Sequence, residues 1–554
     1  MAAATSNRLS PAALWARLRT DWQVDWQVDW QVDWREKEQA ASKDRGNQWR
    51  EQVITRRQHL KAVKNRLASG SNPSFPLVLI AESDPADFLS GFWAALLEGW
   101  SVALANPLWG TQEWKSVEQL IYPDLTWGQA ALRSLTIRHK ATPKTSPQSA
   151  QPAILIPTGG SSGQVKFACH RWASLMASVE GFLERFSPNG EPISTCCVLP
   201  VYHVSGLMQV LRAWVSGGRV TIVSFKQLTA SKASDTHPKP FPAASSRWCI
   251  SLVPTQLERL LQANRASWLR QFQAVFLGGA PAWPTLIARA ASQQIPLCLS
   301  YGMTETAAMV TALMPADFLQ GQRSSGQPMP HTKIQILNDG RLAGDEEIGQ
   351  VVVCSKAIAQ NYYQNDYQRY DSSHSPPLPG TFSQNTFYTD DLGYLSANGH
   401  LHIIGRASSK IISGGENVFP AEVEAALRST GQVKDVCVVG LPHPQWGEAV
   451  TAVYVPTNLE VSAESLKRAL AEPTSGKSVP ILSRYKHPKY WVSLQRLPRN
   501  AQGKLNRQQL LQQLLQQLSS QLAQQIPLSN LLAPPSAPVV ADSEHRRPEP
   551  PMLH

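Results

Sequence analysis

A loop of glycine, hydroxyl and lysine residues is the richest candidate for binding a phosphate group. The loop spans residues 158–166 (TGGSSGQVK) and closely follows the apolar residues 154–156. Glycines let backbone amides turn toward an anion, hydroxyls add hydrogen-bond donors, and a lysine adds positive charge. Two residues separate the last glycine from the lysine, so the loop is not a Walker A motif, in which Lys directly follows Gly. The pattern fits either an ordinary Gly/Ser turn or a phosphate loop made by Thr158, Gly159, Ser161, Ser162, Gly163 and Lys166.

A second segment combines the residue types that bind a base, a phosphate and a metal ion. It reads YGMTE over residues 301–305. The Tyr301 ring can stack on a base, the Thr304 hydroxyl can bind phosphate, and the Glu305 carboxylate can hold Mg²⁺. Three small residues shortly before this segment let a flat ring approach the backbone, namely Gly278, Gly279 and Ala280.

Two further segments carry charged residues suited to a nucleotide. Asp391, within YTDDLG, can accept hydrogen bonds from ribose hydroxyls, as acidic residues do in other nucleotide sites. Arg406 can contact ribose or phosphate, and Lys504 lies in a short QGK turn. Taken singly, Asp391 is equally explained as a solvated carboxylate and Lys504 as a surface lysine.

The segments between these residues predict an α/β protein. Residues 76–83 have the pattern of a buried strand, residues 87–99 that of a helix, and residues 101–107 that of a strand, and similar alternation continues to residue 335. This order predicts a βαβ unit and a parallel sheet. After Arg406 the pattern changes to a compact α+β unit. We expect a large N-terminal domain of layered sheets and helices (75–406), a small mobile C-terminal domain (407–510), and an active site between them.

The two ends of the chain differ in composition from the rest. Residues 21–34 repeat the unit DWQV. As a strand, the repeat would place Trp and Val on one face; as a helix, its tryptophans would form a drifting stripe, so both remain open. We expect an N-terminal arm (1–74) that is flexible or helical. Leucines recur every four residues from Leu510 to Leu522, and prolines accumulate from Pro534, which predicts a Gln/Leu-rich helix and a disordered tail (511–554).

Composition excludes several classes of protein. Of the 554 residues 42% are hydrophobic, so wholesale disorder is excluded. No apolar run approaches the ~18 residues of a membrane helix, so we expect no integral membrane segment. Basic residues exceed acidic ones by 11 but form no dense run interleaved with aromatic residues, which favours an anionic small molecule over nucleic acid. The seven cysteines form no CxxC pair and the N-terminus has no apolar signal region, so a reducing, cytoplasmic location is expected. A homo-oligomer remains open.

Taken in order, these segments resemble the adenylate-forming superfamily of acyl-CoA synthetases, adenylation domains of peptide synthetases and firefly-type luciferases. YGMTE is the clearest signature, and the phosphate loop, YTDDLG, GRASSKIISGGENVFPAEVE and PRNAQGK complete the set across residues 75–507. The resemblance implies that a carboxylate attacks the α-phosphate of ATP in the presence of Mg²⁺, giving acyl-AMP and pyrophosphate. The small domain then rotates, and a thiol, usually that of coenzyme A, accepts the acyl group.

The resemblance also implies a role for each candidate residue. Lys504 would stabilise charge on the α-phosphate, which Thr304 would contact, and Glu305 would hold Mg²⁺. The phosphate loop would bind the β- and γ-phosphates, and Asp391 and Arg406 would bind ribose. The adenine would lie among Gly278, Gly279, Ala280, Tyr301 and Gly302, and the segment approaching coenzyme A would be Ser413, Gly414, Gly415 and Glu416.

Three positions depart from the superfamily pattern. Pro and Gly usually flank the loop lysine, where this chain has Val165 and Phe167. Neither change removes a side-chain donor. The hinge between the domains is commonly Asp or Lys, and here it is Ser408.

Four segments bear on the identity of the acid. HVSGL, within residues 199–218, together with YGMTETAAMV, SSGQPMPH and SGGENVFPAEVE, is most similar to the o-succinylbenzoate–CoA ligases of quinone biosynthesis. This resemblance implies o-succinylbenzoate as the small-molecule carboxylate, a product used for menaquinone or phylloquinone, and His203 and Ser205 as pocket residues. A core histidine explains His203 nearly as well. Another aryl- or fatty-acyl-CoA ligase, an enzyme that loads a carrier protein and a non-catalytic nucleotide-binding scaffold remain as alternatives.

Overall fold

The computed structural model describes residues 10–21, 38–67, 75–128, 151–159, 165–230, 247–363, 379–414, 416–443, 445–471, 482, 484–499, 505–506 and 509–514. In chain order the helices are α1 (Pro11–Asp21), α2 (Glu38–Leu67), α3 (Pro85–Leu97), α4 (Thr111–Leu120), α5 (Trp172–Phe186), α6 (Val204–Ser216), α7 (Phe225–Ala230), α8 (Pro254–Gln262), α9 (Ala266–Leu269), α10 (Pro284–Ser292), α11 (Pro315–Leu319), α12 (Pro420–Ser429) and α13 (Ala463–Ala471). Short 3-10 turns cover Thr304–Thr306, Ala407–Ser409 and Arg484–Lys486.

The strands form four sheets. The first contains β1 (Leu77–Ala81), β2 (Ser101–Leu104), β3 (Leu125–Gly128), β4 (Ile154–Gly159) and β5 (Val165–His170). The second contains β6 (Ile193–Cys197), β7 (Val220–Ile222), β8 (Arg247–Leu252), β9 (Ala274–Leu277), β10 (Leu297–Met303), β11 (Ala308–Ala312) and β12 (Gln327–Pro328). The third contains β13 (Thr332–Asn338), β14 (Arg341–Leu342), β15 (Gly349–Ser355), β16 (Thr381–Ser383), β17 (Thr386–Leu395) and β18 (Leu401–Arg406). The fourth contains β19 (Ile411–Ser413), β20 (Glu416–Val418), β21 (Val433–His443), β22 (Gly447–Pro456) and β23 (Tyr490–Ser493).

The first two sheets have parallel centres and antiparallel edges. In the first, β3, β1, β2 and β4 are parallel and β5 returns antiparallel to β4. In the second, β10, β9, β8, β6 and β7 are parallel, and β11 and β12 add antiparallel strands. Strands β1, β6 and β9 are buried along their whole length, as expected for parallel strands covered on both faces.

Helix α3 shows how local sequence sets one of the covering helices. The Asp84 side chain accepts hydrogen bonds from the backbone of Ala86 and Asp87, at 2.7 and 3.1 Å, and Pro85 begins the helix. An Asp cap followed by proline at the first helical position is a favoured helix start. The helix is then buried continuously from Phe88 to Ala95.

A cluster of five tryptophans fastens the N-terminal helices to the large domain. Trp15 of α1 packs on Trp93 and Trp49 of α2 packs on Trp214, with ring centroids 6.4 and 6.1 Å apart. Trp93 in turn contacts both Trp172 and Trp214, at 5.9 and 5.1 Å. The exposed fractions of Trp15 and Trp49 are 6% and 3%, so both belong to the hydrophobic core. The described part of the N-terminal arm is therefore helical and packed.

The expected mixed α/β fold with a large N-terminal and a small C-terminal part is confirmed. The third sheet ends at Arg406 and the fourth begins at Ile411. The four-part division of the chain stays a prediction, and residues 22–37, which hold most of the DWQV repeat, lie outside the described residues. Leu510 and Leu514, at the start of the leucine-rich segment, are buried against the small unit. Where the chain is described, its helices are too short or too polar to cross a membrane.

Candidate active site

The phosphate-loop candidates are divided between a hairpin and residues outside the described part of the chain. Thr158 and Lys166 face each other in the antiparallel pairing of β4 and β5, and Gly159 pairs with Val165. Lys166 is half-buried. Ser161, Ser162 and Gly163 lie outside the described residues. The structure therefore places the two ends of the loop side by side at the edge of the first sheet.

The YGMTE segment forms a strand and a tight turn. Gly302 lies so close to the next strand that a Cβ atom there would be 1.9 Å from the Ala308 carbonyl oxygen. Any larger residue would therefore force β10 and β11 apart. Ala307 and Ala308 have φ values of 51° and 78°, in the left-handed region that costs non-glycine residues about 1 to 3 kcal/mol. The sheet thus holds a strained turn directly after Thr304 and Glu305.

Two buried side chains brace this turn from β5 and α5. His170 Nε2 lies 2.7 Å from the Thr304 carbonyl oxygen, and its Nδ1 lies 3.0 Å from Ser174 Oγ. Ser178 Oγ donates to the Ala307 carbonyl oxygen at 2.8 Å. Burial lowers the pKa of His170 to about 4, with the hydrogen bond to Thr304 opposing the shift, so the ring is neutral near pH 7.

Glu305 is buried and its carboxylate has a tyrosine partner. Its exposed fraction is 6%, and Tyr362 Oη donates to Glu305 Oε1 at 2.8 Å. The Lys166 ammonium lies 5.1 Å from the centre of the Tyr362 ring. Burial and the Glu305 charge raise the pKa of Tyr362, so its hydroxyl keeps its proton. A phosphate-binding cation and a metal-binding carboxylate, as the sequence predicts them, thus share one tyrosine.

Asp391 lies between Tyr301 and Arg406. Tyr301 Oη donates to Asp391 Oδ2 at 2.7 Å, and Arg406 Nε lies 3.3 Å from Oδ1. Asp391 is 8% exposed, whereas the Arg406 side chain is 53% exposed. Burial and the neighbouring Asp391 raise the pKa of Tyr301 well above its ordinary value. Three candidates from separate parts of the sequence therefore meet.

The small residues after β9 line the same end of the second sheet. A Cβ atom at Gly278 would be 2.7 Å from Ser300 Oγ, the residue before Tyr301. Gly279 has a φ of 78°, a conformation that side-chain-bearing residues rarely adopt. Ala280 follows and is exposed. Parallel strands commonly bind ligands at their carboxyl ends, which is where this turn and Tyr301 lie.

The remaining candidates lie in three other places. His203 occupies the N-cap position of α6, and its ring packs edge-on against Tyr202, with ring centroids 4.7 Å apart. Ser205 is exposed on the first turn of this helix. Ser413 pairs with exposed Glu416 in the β19–β20 hairpin, and Gly414 packs against Trp446. Gly415 and Lys504 lie outside the described residues.

The carboxylate of Asp390 binds the linker between the third and fourth sheets through two hydrogen bonds from Ser408, which we call the Asp390 bracket. Asp390 Oδ1 accepts from the Ser408 backbone amide at 3.1 Å, and Asp390 Oδ2 accepts from the Ser408 hydroxyl. Further along, the Arg428 guanidinium of α12 lies 5.2 Å from the centre of the Trp283 ring. The large domain therefore contacts both the linker and helix α12 of the small unit.

The donor set fits a magnesium nucleotide. Glu305 offers the hard oxygen ligand that Mg²⁺ prefers, and Asp391 offers carboxylate oxygens for ribose hydroxyls. Mg²⁺ is usually bound through one or two carboxylates together with substrate phosphates and water, and Glu305 would supply such a carboxylate. Sequence reasoning missed Tyr362, His170 and Asp390, since single Tyr, His and Asp residues carry no distinctive pattern.

Family models match both parts of the chain. The family model described as AMP-binding enzyme matches residues 90–363, and the model described as AMP-binding enzyme C-terminal domain matches residues 422–504. A 2-succinylbenzoate–CoA ligase from Enterococcus faecalis is 31% identical over 361 residues, which is 65% of this chain and 69% of that protein. One from Bacillus velezensis is 32% identical over 312 residues, 56% of this chain and 59% of that protein.

Solved structures share the fold. The o-succinylbenzoate coenzyme A synthetase of Bacillus subtilis, solved with its acyl-adenylate intermediate, is 25% identical with a TM-score of 0.65, covering 83% of this chain and 92% of that one. The same enzyme with ATP and magnesium ion gives 25% identity and a TM-score of 0.65, covering 81% of this chain and 92% of that one. Matches to both parts of the chain, with the identity to the Enterococcus faecalis protein, show that this chain belongs to the AMP-binding enzyme family.

Proposed function

We propose that this chain is an ATP-dependent acid–CoA ligase that adenylates o-succinylbenzoate and transfers the acyl group to coenzyme A. One observation carries the proposal: Tyr301 and Arg406 both contact the Asp391 carboxylate. The buried carboxylate of Glu305 lies in the same YGMTE segment as Tyr301. The relatives that support this acid are the 2-succinylbenzoate–CoA ligases described above. We further propose that the reaction takes place in the cytoplasm, where ATP and coenzyme A are available. The resemblance to o-succinylbenzoate–CoA ligases supports a product used for menaquinone or phylloquinone.

The nucleotide would be held mainly by residues of β10 and β17. Asp391 accepts hydrogen bonds from the ribose hydroxyls, and Tyr301 fixes the direction of that carboxylate through its hydroxyl group. The Tyr301 ring and the small residues Gly278 and Gly279 would flank the adenine. Thr158, Lys166 and the loop residues between them bind the β- and γ-phosphates.

The first step joins the acid to the nucleotide. An oxygen of the substrate carboxylate attacks the α-phosphorus, and the bond from that phosphorus to the departing pyrophosphate breaks. Mg²⁺, when bound by Glu305 and phosphate oxygens, neutralises charge on the phosphates. Lys504 and Thr304 stabilise the negative charge that develops on the α-phosphate. The acyl-AMP formed is a far better acyl donor than the free carboxylate.

The second step needs a different surface beside the same intermediate. The thiol sulfur of coenzyme A attacks the acyl carbon and AMP leaves, while the thiol proton passes to solvent. Rotation of the small unit about the Ala407–Ser409 linker would withdraw Lys504 and bring the 413–416 hairpin toward coenzyme A. His203 and Ser205 are the proposed acyl-pocket residues.

Pyrophosphate release by the purified chain tests the proposal. The assay contains Mg-ATP and coenzyme A with o-succinylbenzoate, benzoate, a phenylpropanoid or a medium-chain fatty acid, and thioester formation is followed by mass. We expect strong preference for o-succinylbenzoate. Preference for another acid would reject the acid and keep the ligase mechanism. A Lys504→Ala variant should bind ATP and lose adenylation; a scaffold without catalysis would show no release in either form.

A further inference from the structure

A short segment connects the phosphate hairpin to the turn that carries Glu305. Residues 359–363 run antiparallel to β5, with backbone hydrogen bonds from Tyr363 N to the Phe167 oxygen (2.8 Å), Cys169 N to the Asn361 oxygen (2.9 Å) and Gln360 N to the Cys169 oxygen (2.8 Å). The segment's first amide, that of Ala359, donates to the Glu305 carbonyl oxygen at 2.8 Å. The strand carrying Lys166 and the turn carrying Glu305 are thus joined through one stretch of backbone.

Tyr362 lies at the centre of this segment and points to both groups. Its side chain is mostly buried, with 8% of the residue exposed, and its ring packs edge-on against Phe382, with centroids 5.2 Å apart. This packing fixes the ring plane. The hydroxyl donates to Glu305 at 2.8 Å, and the Lys166 ammonium lies 5.1 Å from the ring centre.

Tyrosine is chemically suited to hold these two charges without cancelling them. A single neutral hydrogen bond orients a carboxylate and leaves its charge available to a divalent cation. A cation–π contact restrains an ammonium group and leaves its charge available to phosphate. A lysine or arginine at position 362 would instead compete with the cation for Glu305.

We propose that Tyr362 is a positioning residue that orients the Glu305 carboxylate and the Lys166 ammonium for a divalent cation bound with a nucleoside triphosphate. This inference rests on the proposed use of ATP. Tyr362 itself needs to touch neither the substrate nor the metal. Its contribution is to keep two side chains from different sheets in one arrangement before the nucleotide arrives.

Binding of Mn²⁺ by the full chain in the presence of ATP tests this without turnover. Free Mn²⁺ is measured by electron paramagnetic resonance, and ATP binding is measured by calorimetry. Tyr362→Phe keeps the ring and removes the hydroxyl that orients Glu305, so we expect Mn²⁺ affinity to fall about 2- to 12-fold, which is the net contribution of a typical hydrogen bond. Tyr362→Leu also removes the ring face, so we expect an additional loss of ATP affinity.

Two comparisons separate positioning from general damage. Tyr394→Phe, at a ring that stacks on His402, makes the same chemical change elsewhere and should leave Mn²⁺ binding unchanged. In a Glu305→Gln background, Tyr362→Phe should have no further effect on Mn²⁺ affinity, since the two groups act together. Equal losses in both backgrounds, or unchanged affinity in Tyr362→Phe, would overturn the inference.

The measurement also separates this inference from the proposed function. If the chain binds Mn²⁺ and ATP but releases no pyrophosphate with any acid, the ligase proposal fails while the role of Tyr362 is still decided by the variants. If the chain binds neither Mn²⁺ nor ATP, both fail. If Tyr362→Phe lowers the melting temperature, the Glu305→Gln background still decides, because a purely structural loss would appear in both backgrounds.

Discussion

Asp391 is held from two sides by groups of different strength. The Tyr301 hydroxyl group lies 2.7 Å from one oxygen, and the Arg406 guanidinium lies 3.3 Å from the other and is largely exposed. The short, buried contact should orient the carboxylate more strictly than the exposed ion pair, because solvent screens the latter. Tyr301 therefore has a second role beside presenting an aromatic ring.

Removing only the Tyr301 hydroxyl tests that second role. We expect Tyr301→Phe to weaken ATP binding about 2- to 12-fold, which is the net contribution of a typical hydrogen bond, with the stacking ring retained. Calorimetry with ATP measures the change. An unchanged dissociation constant would show that Arg406 alone suffices to orient Asp391.

The half-buried His331 side chain should make the free energy of unfolding depend on pH. Burial and the charge of Arg212 lower its pKa from 6.5 to about 4. Between these values the unfolded chain binds the proton and the folded chain does not, so the free energy of unfolding decreases as pH falls from about 6.5 to about 4. The full loss would be on the order of 3 kcal/mol.

Chemical unfolding at several pH values checks this contribution. We expect His331→Gln to flatten the pH dependence between 6.5 and 4 relative to the unsubstituted chain. Arg212→Met should also reduce the slope, since removing the nearby positive charge raises the His331 pKa toward its ordinary value. Parallel curves for all three proteins would contradict the assignment.

Residue types and their order predicted some of this site and could not predict the rest. Tyr301, Asp391 and Arg406 were predicted individually, and the structure brings them into contact. Tyr362 and His170 escaped because their partners, Glu305 and Thr304, lie 57 and 134 positions away. A contact of that separation depends on how the first and second sheets come together, which no local pattern records.

Among the secondary-structure elements, the linker after β18 shows how one side chain can set a conformational preference. Asp390 on β17 accepts two hydrogen bonds from Ser408, and both must break if the linker turns. The sequence identified Ser408 as a departure from the usual hinge residue. It could not show that the carboxylate is instead supplied from the adjoining strand.

Loss of this bracket should loosen the linker. We expect Asp390→Ala to speed tryptic cleavage after Arg406 or Lys410 several-fold, because the backbone amide of Ser408 loses its partner. Bound ATP with the acid should slow cleavage in both proteins. Asp345→Ala, at an exposed loop position, is the matched control. Equal cleavage rates in all variants would exclude a role for the bracket.

The largest side chain that the second N-terminal helix places in the core is Trp49. Trp49 is 3% exposed, and its indole donates to the Ala86 carbonyl oxygen at 3.1 Å. We expect Trp49→Ala to lower the free energy of unfolding by about 3 to 5 kcal/mol. Gln58→Ala, on the exposed face of the same helix, should change it by less than about 0.5 kcal/mol. Denaturant unfolding measures both, and equal effects would place α2 outside the cooperative core.

Across the whole molecule, the order of segments was sufficient to predict the fold. It was not sufficient to predict how the N-terminal helices pack on the large domain. The strand–helix–strand pattern after residue 75 was sufficient for an α/β domain, and the change after Arg406 indicated a second unit. The charged sequence of α2 gave no sign that its tryptophan enters the core. That packing depends on tryptophans from five separate helices, whose meeting is a property of the assembled domain.

The cysteines lie in both the large domain and the small unit, so the reactivity of their thiols can report local unfolding of each part. Six of the seven thiols are buried, and only Cys354 is partly accessible. Burial raises the pKa of Cys249 to about 12, so very little reactive thiolate is present near pH 7. Cys437 lies in the small unit, while Cys196, Cys197, Cys249 and Cys298 lie in the second sheet of the large domain. Alkylation followed by mass spectrometry should therefore label Cys354 first. The later labelling rate of Cys437 should report the opening of the small unit, and that of the second-sheet cysteines the opening of the large domain.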